Sequence, residues 1–300
     1  MKKKLICGMM TAAMTAVLLA GCGNDASGTS ASSGASAASD TTVSESASDV
    51  SASSETVGDS AEPVTFTVGF DAEYPPYGYM DEDTGEYTGF DLELAEAVCD
   101  LYGWQLVKTP INWDSKDMEL NSGSIDCIWN GFTINGREDD YTWSDPYVDN
   151  SQVMVVSESS GINTLSDLAG KNVGVQAASA ALELLQSEEE GGQKALADTF
   201  AVLQQFPDYN NAFVELQAGS IDAVAMDIGV AKYQLKTRGE GFKILDESLN
   251  SEQYAIGFKK GNTELCEKVN EGLQQLLADG TFEELAEKYE IADMVCLEAK

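Results

Sequence analysis

The chain has 300 residues, of which 17 are Lys or Arg and 51 Asp or Glu, with no histidine and a formal net charge of -34 at pH 7. That balance repels polyanions, so nucleic acid is not an expected partner, whereas a cationic or zwitterionic ligand is accommodated. Without histidine there is no Ser-His-Asp or Cys-His catalysis and no His-containing zinc site, and neither a metal nor another cofactor is expected.

Lys2, Lys3 and Lys4 lead into an apolar run from Leu5 to Ala20. These are the basic and apolar regions of a secretory signal, and the run falls short of the roughly 20 residues that span a bilayer. Leu19-Ala20-Gly21-Cys22 resembles the lipobox of bacterial lipoproteins. That resemblance implies a signal peptide over residues 1–22 and cleavage before Cys22, whose sulfur then carries a diacylglyceryl anchor with acyl chains such as palmitate. Held by two or more chains, the protein is expected on the outer face of the cell membrane. Residues 23–62 are mostly Ser, Ala, Gly and Thr with scattered acids and no Lys, Arg or aromatic residue. Such a stretch buries too little apolar surface to offset its chain entropy, and a disordered spacer is expected.

From Pro63 strand and helix patterns alternate. Val64 to Phe70 alternates as a strand, and Leu92, Ala95, Val98 and Leu101 recur at helical spacing. Trp104 to Val107 reads as a strand, Met118 to Ser122 as a helix end and Ile125 to Trp129 as an apolar strand. This βαβαβ order marks an open α/β sheet. A second series follows: a strand over 172–175, a helix over 179–186, a strand over 200–203, a helix over 210–218 and a strand over 221–226. Leu120-Asn121-Ser122-Gly123-Ser124-Ile125-Asp126 in the first series is echoed by Leu216-Gln217-Ala218-Gly219-Ser220-Ile221-Asp222 in the second, each a helix end, a glycine turn and a strand start. A strand over 254–259 and amphipathic helices over 264–278 and 282–289 then return to the first series. Two α/β lobes are expected, the first over 63–150 and 252–300 and the second over 151–251, with hinge crossings near Asp149 and Glu252. In open α/β sheets ligands sit beyond the carboxyl ends of the strands, so a cleft between the lobes is the expected site. Beyond Cys7 and Cys22 the cysteines are Cys99, Cys127, Cys266 and Cys296. Export permits disulfides, while the apolar settings of Cys99 and Cys127 favour small buried hydrophobes.

Several motifs across residues 64–290 carry a resemblance. Val68-Gly69-Phe70-Asp71-Ala72-Glu73-Tyr74-Pro75-Pro76-Tyr77 is followed by Gly89-Phe90-Asp91-Leu92, Ile125-Asp126, Trp143-Ser144-Asp145-Pro146-Tyr147, Val173-Gly174-Val175-Gln176 and Asp222-Ala223-Val224-Ala225-Met226-Asp227. In this order they resemble the polar amino-acid-binding proteins of bacterial ABC importers, the family 3 extracellular solute-binding proteins. The resemblance implies a two-lobed periplasmic-binding-protein fold of type II that closes on a free amino acid and passes it to an importer's permease and ATPase subunits. It places the α-carboxylate clamp on Arg137, after a loop one residue shorter than the commoner spacing, because guanidinium geometry matches two oxygens. Gly131 and Thr133 would add an amide and a hydroxyl, and Ala178 and Ser179 further donors at a helix start. Asp227 would hold the α-ammonium. Asp71, Tyr74 and Trp113 would form the side-chain pocket, two aromatic faces around a cationic or amide group with a carboxylate at its end, and Asn130 would lie at its floor.

The expected ligand is a polar amino acid, with Lys, Arg, ornithine or His ahead of Gln on charge, and the expected receptor is a monomer without enzymatic activity. Cystine is an open alternative. So is an enzyme on the same fold, like the cyclohexadienyl dehydratases, for which Glu73 is the one cleft acid available as a general acid or base. A sensor ectodomain would need its output on a separate chain.

Overall fold

The computed structural model describes residues 63–300. The lipoprotein-type signal with Cys22 and the spacer over 23–62 lie outside the described residues. No helix among the described residues is long and apolar enough to cross a membrane.

The first sheet runs in the order Gln105–Pro110, Thr65–Phe70, Cys127–Ile128, Gly257–Phe258, Thr142–Trp143. Its first three strands are parallel, and Gly257–Phe258 pairs antiparallel on both sides. Alternation sends Phe66, Val68 and Phe70 into the core. Over them lies helix Phe90–Tyr102, which buries Leu94, Ala95 and Val98 and stops where Gly103 turns left-handed at φ 64°. Helix Thr263–Asp279 presents Cys266, Val269, Leu273 and Leu276 at helical spacing and crosses against Val98 at Gly272.

The second sheet runs Val202–Phe206, Asn172–Gln176, Ala223–Asp227, Gln152–Ser157, Phe242–Ile244. Its first three strands are parallel and the last two antiparallel to their neighbours. Strand Gln152–Ser157 is covered on both faces: Val153 and Val155 join one apolar cluster, Met154 and Val156 the other. Between the sheets, Val148–Asn150 and Glu252–Tyr254 pair antiparallel, Asn150 opposite Glu252.

The sequence echo has a structural counterpart in each sheet. Asp126 accepts the N–H of Thr67 at 2.7 Å, and Asp222 accepts that of Asn172 at 2.8 Å. Gly69 makes room for Ile125 and Gly174 for Ile221. In both places a carboxylate accepts a backbone N–H of the neighbouring parallel strand and a glycine lets an isoleucine cross it.

Some boundaries differ from expectation. The strand read at 200–203 forms at Val202–Phe206, because Phe200 donates its N–H to Ala197 at 3.0 Å and closes the turn after helix Lys194–Ala197. The stretch read as one strand over 254–259 divides between the crossing pair, through Tyr254, and the first sheet, through Gly257–Phe258. Helix Ile228–Arg238 escapes the periodicity reading because it buries Gly229, Val230, Ala231 and Gln234 and has no apolar stripe. All four described cysteines are free thiols; burial pushes Cys99 up to about 12 and Cys266 up to about 11, which leaves them unreactive packing groups.

Candidate functional site

The carboxyl ends of four strands, two from each sheet, deliver the polar residues. Asp71 follows strand Thr65–Phe70, residues 129–133 follow Cys127–Ile128, Ser179 follows Asn172–Gln176 by a short turn, and Asp227 ends its own strand. Between them lies a small cavity of ≈ 10 Å³ lined by Tyr74, Trp113, Gly131, Phe132, Thr133, Arg137, Gln176, Ser179, Ala180 and Asp227. Seven of the residues expected from sequence meet there. Asp71 lines an adjoining hollow of ≈ 340 Å³ that shares Trp113 and also presents Glu73, Asp114 and Asp208. Asn130 and Ala178 line neither. Asn130 is 1% exposed with its Oδ1 against Gly78, and Ala178, held at φ 53°, turns its carbonyl to Lys116 Nζ at 3.3 Å. Wider grooves of ≈ 400 and ≈ 620 Å³ run along helix Ile228–Arg238. None of their charged groups is buried, whereas the smaller cavity gathers buried polar groups of both signs, which is what fixes a small polar ligand.

Asp227, 3% exposed, is the centre of a hydrogen-bond network. Its Oδ1 accepts from Tyr254 at 2.7 Å, Gln152 at 2.7 Å and Asn150 at 2.8 Å, while Oδ2 has only Tyr209, at 3.3 Å. The same two amide groups donate to Glu252 Oε1, Asn150 at 2.7 Å and Gln152 at 2.8 Å. Two buried carboxylates thus share two amides. Burial, then the charge of Asp227, pushes Glu252 up from the usual carboxylate range. Burial also raises the Tyr74, Tyr209 and Tyr254 hydroxyls well above their ordinary values, so all three act as neutral donors.

The donors expected from sequence are partly engaged by the protein itself. Thr133 donates its hydroxyl to Glu252 at 2.8 Å. Ser179 accepts from Leu182 N–H at 3.2 Å as the N-cap of helix Ala180–Gln186 and donates to the Gln176 carbonyl. Gly131, at φ 56°, donates its N–H to Asp91 at 2.5 Å. A side chain there would meet the Tyr254 ring at 2.9 Å and the Tyr74 ring at 3.0 Å, so only glycine fits. Burial pushes Asp91 up to about 7; Tyr147 and Trp129 turn toward it without reaching full hydrogen-bond geometry.

At the cationic end Arg137 is 6% exposed, with its guanidinium 5.1 Å from the Phe132 ring centroid. Nε donates to Glu183 Oε2 at 3.0 Å, and Nη2 lies 2.8 Å from Oε1. Asp71 accepts from Glu73 N–H at 2.9 Å and from Gln176 Nε2 at 2.6 Å, and burial pushes it up to about 6. Trp113 meets Phe132 edge-on at 5.5 Å, with Lys116 5.2 Å from its ring centroid.

Sequence reasoning missed Gln152, Glu252, Tyr254, Tyr209 and Glu183. Tyr209 was within reach of the strand-end rule, since it follows strand Val202–Phe206 by a short turn. Glu252 and Gln152 carry no local signal, because each is buried only by the crossing of distant segments.

Residues 66–292 match the family model described as bacterial extracellular solute-binding proteins, family 3. The chain is 29% identical over 233 residues to the L-cystine-binding protein TcyJ of Escherichia coli (strain K12), covering 77% of this chain and 84% of that one. It is 29% identical over 236 residues to ABC transporter arginine-binding protein 1 of the same organism, covering 77% and 91%. The crystal structure of an ABC uptake transporter substrate binding protein from Streptococcus pneumoniae with bound histidine superposes with a TM-score of 0.71 at 35% identity, covering 75% of this chain and 92% of that one. The fold is therefore that of the two-lobed periplasmic binding proteins, and the chain belongs to the bacterial extracellular solute-binding proteins, family 3.

Proposed function

We propose that this protein captures a free amino acid with a cationic side chain outside the cytoplasm and delivers it to the permease and ATPase of an ABC importer. One observation carries the reading: a buried carboxylate, Asp227, and a buried guanidinium, Arg137, line the same cavity, with a third charged group, Asp71, in the hollow beside it. Asp227 Oδ2 has a lone pair to spare for an α-ammonium, Arg137 faces an α-carboxylate, and Trp113 leads to Asp71 for the side-chain cation. Lys, Arg, ornithine and His suit that acid-lined end better than Gln. Because the ligand touches both lobes, its binding favours their closure. The receptor acts as a monomer, held near its transporter by the lipid on Cys22.

Cystine is the second reading. The buried Lys116, beside Trp113, would offer its far carboxylate a cation while Asp71 takes its far ammonium. Catalysis is not part of the proposal. Glu73, the cleft acid a dehydratase would need, is exposed and engaged by Asn210 at 2.5 Å.

Titration calorimetry of the full chain in detergent against the twenty amino acids, ornithine and cystine tests the reading. Heat is expected with Arg, Lys, ornithine or His and none with Asp or Glu. Binding to none of the panel overturns the proposal.

A further inference from the structure

We propose that Glu183 is a positioning residue of this site: from the second lobe it takes the side-on edge of Arg137 as the lobes close, and so aims the remaining guanidinium hydrogens at the ligand's carboxylate. The inference rests on the reading of Arg137 as the carboxylate clamp.

The geometry starts from helix Ala180–Gln186, where Ala180 lines the cavity and Glu183, three residues on, lies on the same helix face. An acid in a first helical turn is ordinarily a solvated group that favours the helix dipole. Here it reaches across the cleft instead. Nε donates to Oε2 at 3.0 Å and Nη2 lies 2.8 Å from Oε1, a side-on ion pair in which Nε makes the hydrogen bond and Nη2 a charge contact only. Nη1 donates to the Thr133 carbonyl at 3.2 Å, and the ring of Phe132 covers one face of the guanidinium. The arginine is thereby held on one edge, on one face and at Nη1, while Nη2 meets no protein acceptor other than Glu183.

The two ends of the pair differ in setting: the Arg137 side chain is 7% exposed and that of Glu183 is 53% exposed. Arg137 belongs to the loop after Cys127–Ile128 in the first sheet's lobe, and Glu183 to the helix after Asn172–Gln176 in the second's. The pair exists only with the lobes together. It therefore adds its strength to the closed state, in which ligand is retained, and adds nothing to first encounter. Lys116, whose ammonium burial and Arg137 push down from the usual lysine range, is the other cation facing Glu183.

The test compares the full chain with Glu183→Gln and Glu183→Asp, using whichever amino acid the wild type binds. Glu183→Gln should weaken every bound amino acid by a common factor of about 5, the scale of a half-exposed ion pair. The loss should lie in a faster off-rate with an unchanged on-rate, and the order of ligand preference should not move. Glu183→Asp, which keeps the charge on a shorter stem, should recover part of the loss, and thermal unfolding without ligand should match the wild type. Equal or tighter binding by Glu183→Gln overturns the proposal, tighter binding meaning that Glu183 competes with the ligand for Arg137. A loss seen only in the on-rate, or accompanied by an equal loss of unfolding temperature, overturns it as well. A wild type that binds no amino acid overturns the underlying reading of Arg137, and this role with it.

Discussion

Replacing Asp227 by Asn should abolish capture while making the ligand-free protein more resistant to alkaline pH. The exchange keeps volume and keeps Oδ1 as an acceptor for Tyr254, Gln152 and Asn150, so the network around it survives. What changes is the other atom. Oδ2, bonded only to Tyr209 at 3.3 Å, becomes an NH₂ that faces an α-ammonium donor to donor. Losing a charged, buried hydrogen bond costs about 1.5–3 kcal/mol, and the repulsive replacement adds to it, so affinity should fall by at least about 100-fold. The ligand-free protein gains for a separate reason. Each bridging amide nitrogen lies 2.7 or 2.8 Å from Asp227 Oδ1 and from Glu252 Oε1, which puts the two oxygens within ~5.5 Å of one another and their repulsion near 3 kcal/mol when both are ionised. A carboxylate raised on folding contributes stability at low pH that is lost as pH climbs through its folded value. Glu252 is raised in part by Asp227, so Asp227→Asn should shrink that loss. Calorimetry reads the affinity, and unfolding temperatures from pH 5 to 9 read the stability. A variant that binds within tenfold of wild type refutes Asp227 as the ammonium site; one whose ligand-free stability falls more steeply with pH refutes the paired-carboxylate account.

Asp71, pushed up to about 6 by burial, must be ionised to hold a side-chain cation. Affinity for Arg or Lys should therefore fall as pH drops through about 6, approaching tenfold per pH unit below it, and Asp71→Asn should flatten the profile and move preference toward Gln; an unchanged profile in Asp71→Asn removes Asp71 from the pocket. Gly174→Ala would put a methyl 2.6 Å from Ile221 Cδ1 and 2.9 Å from the Phe206 ring, in the middle of the second sheet. A destabilisation of about 1–3 kcal/mol is expected by denaturant titration, and the double variant with Ile221→Val should recover part of it.

Much of this protein is written locally. Alternating Phe66, Val68 and Phe70, the helical spacing of Leu92, Ala95 and Val98, though not of the exposed Leu101, and the Gly-Ser-Ile-Asp turns at 123–126 and 219–222 depend on neighbours a few residues away, so both lobes and their strand ends were legible in the sequence. The family resemblance assigned Asp71, Tyr74, Arg137 and Asp227 to one site, and Asp71 and Asp227 also stand at strand ends, where a strand's loop must emerge. Which partner each polar group chooses was not legible. Thr133 gives its hydroxyl to Glu252, 119 residues away, and Arg137 gives an edge to Glu183, 46 residues away. Helix Ile228–Arg238 likewise had no stripe to betray it, since the core claims it through Gly229, Val230, Ala231 and Gln234. Periodicity reports which face of an element is apolar. The pairing of buried charges and amides is set by which distant segments cross, and that only the tertiary structure decided.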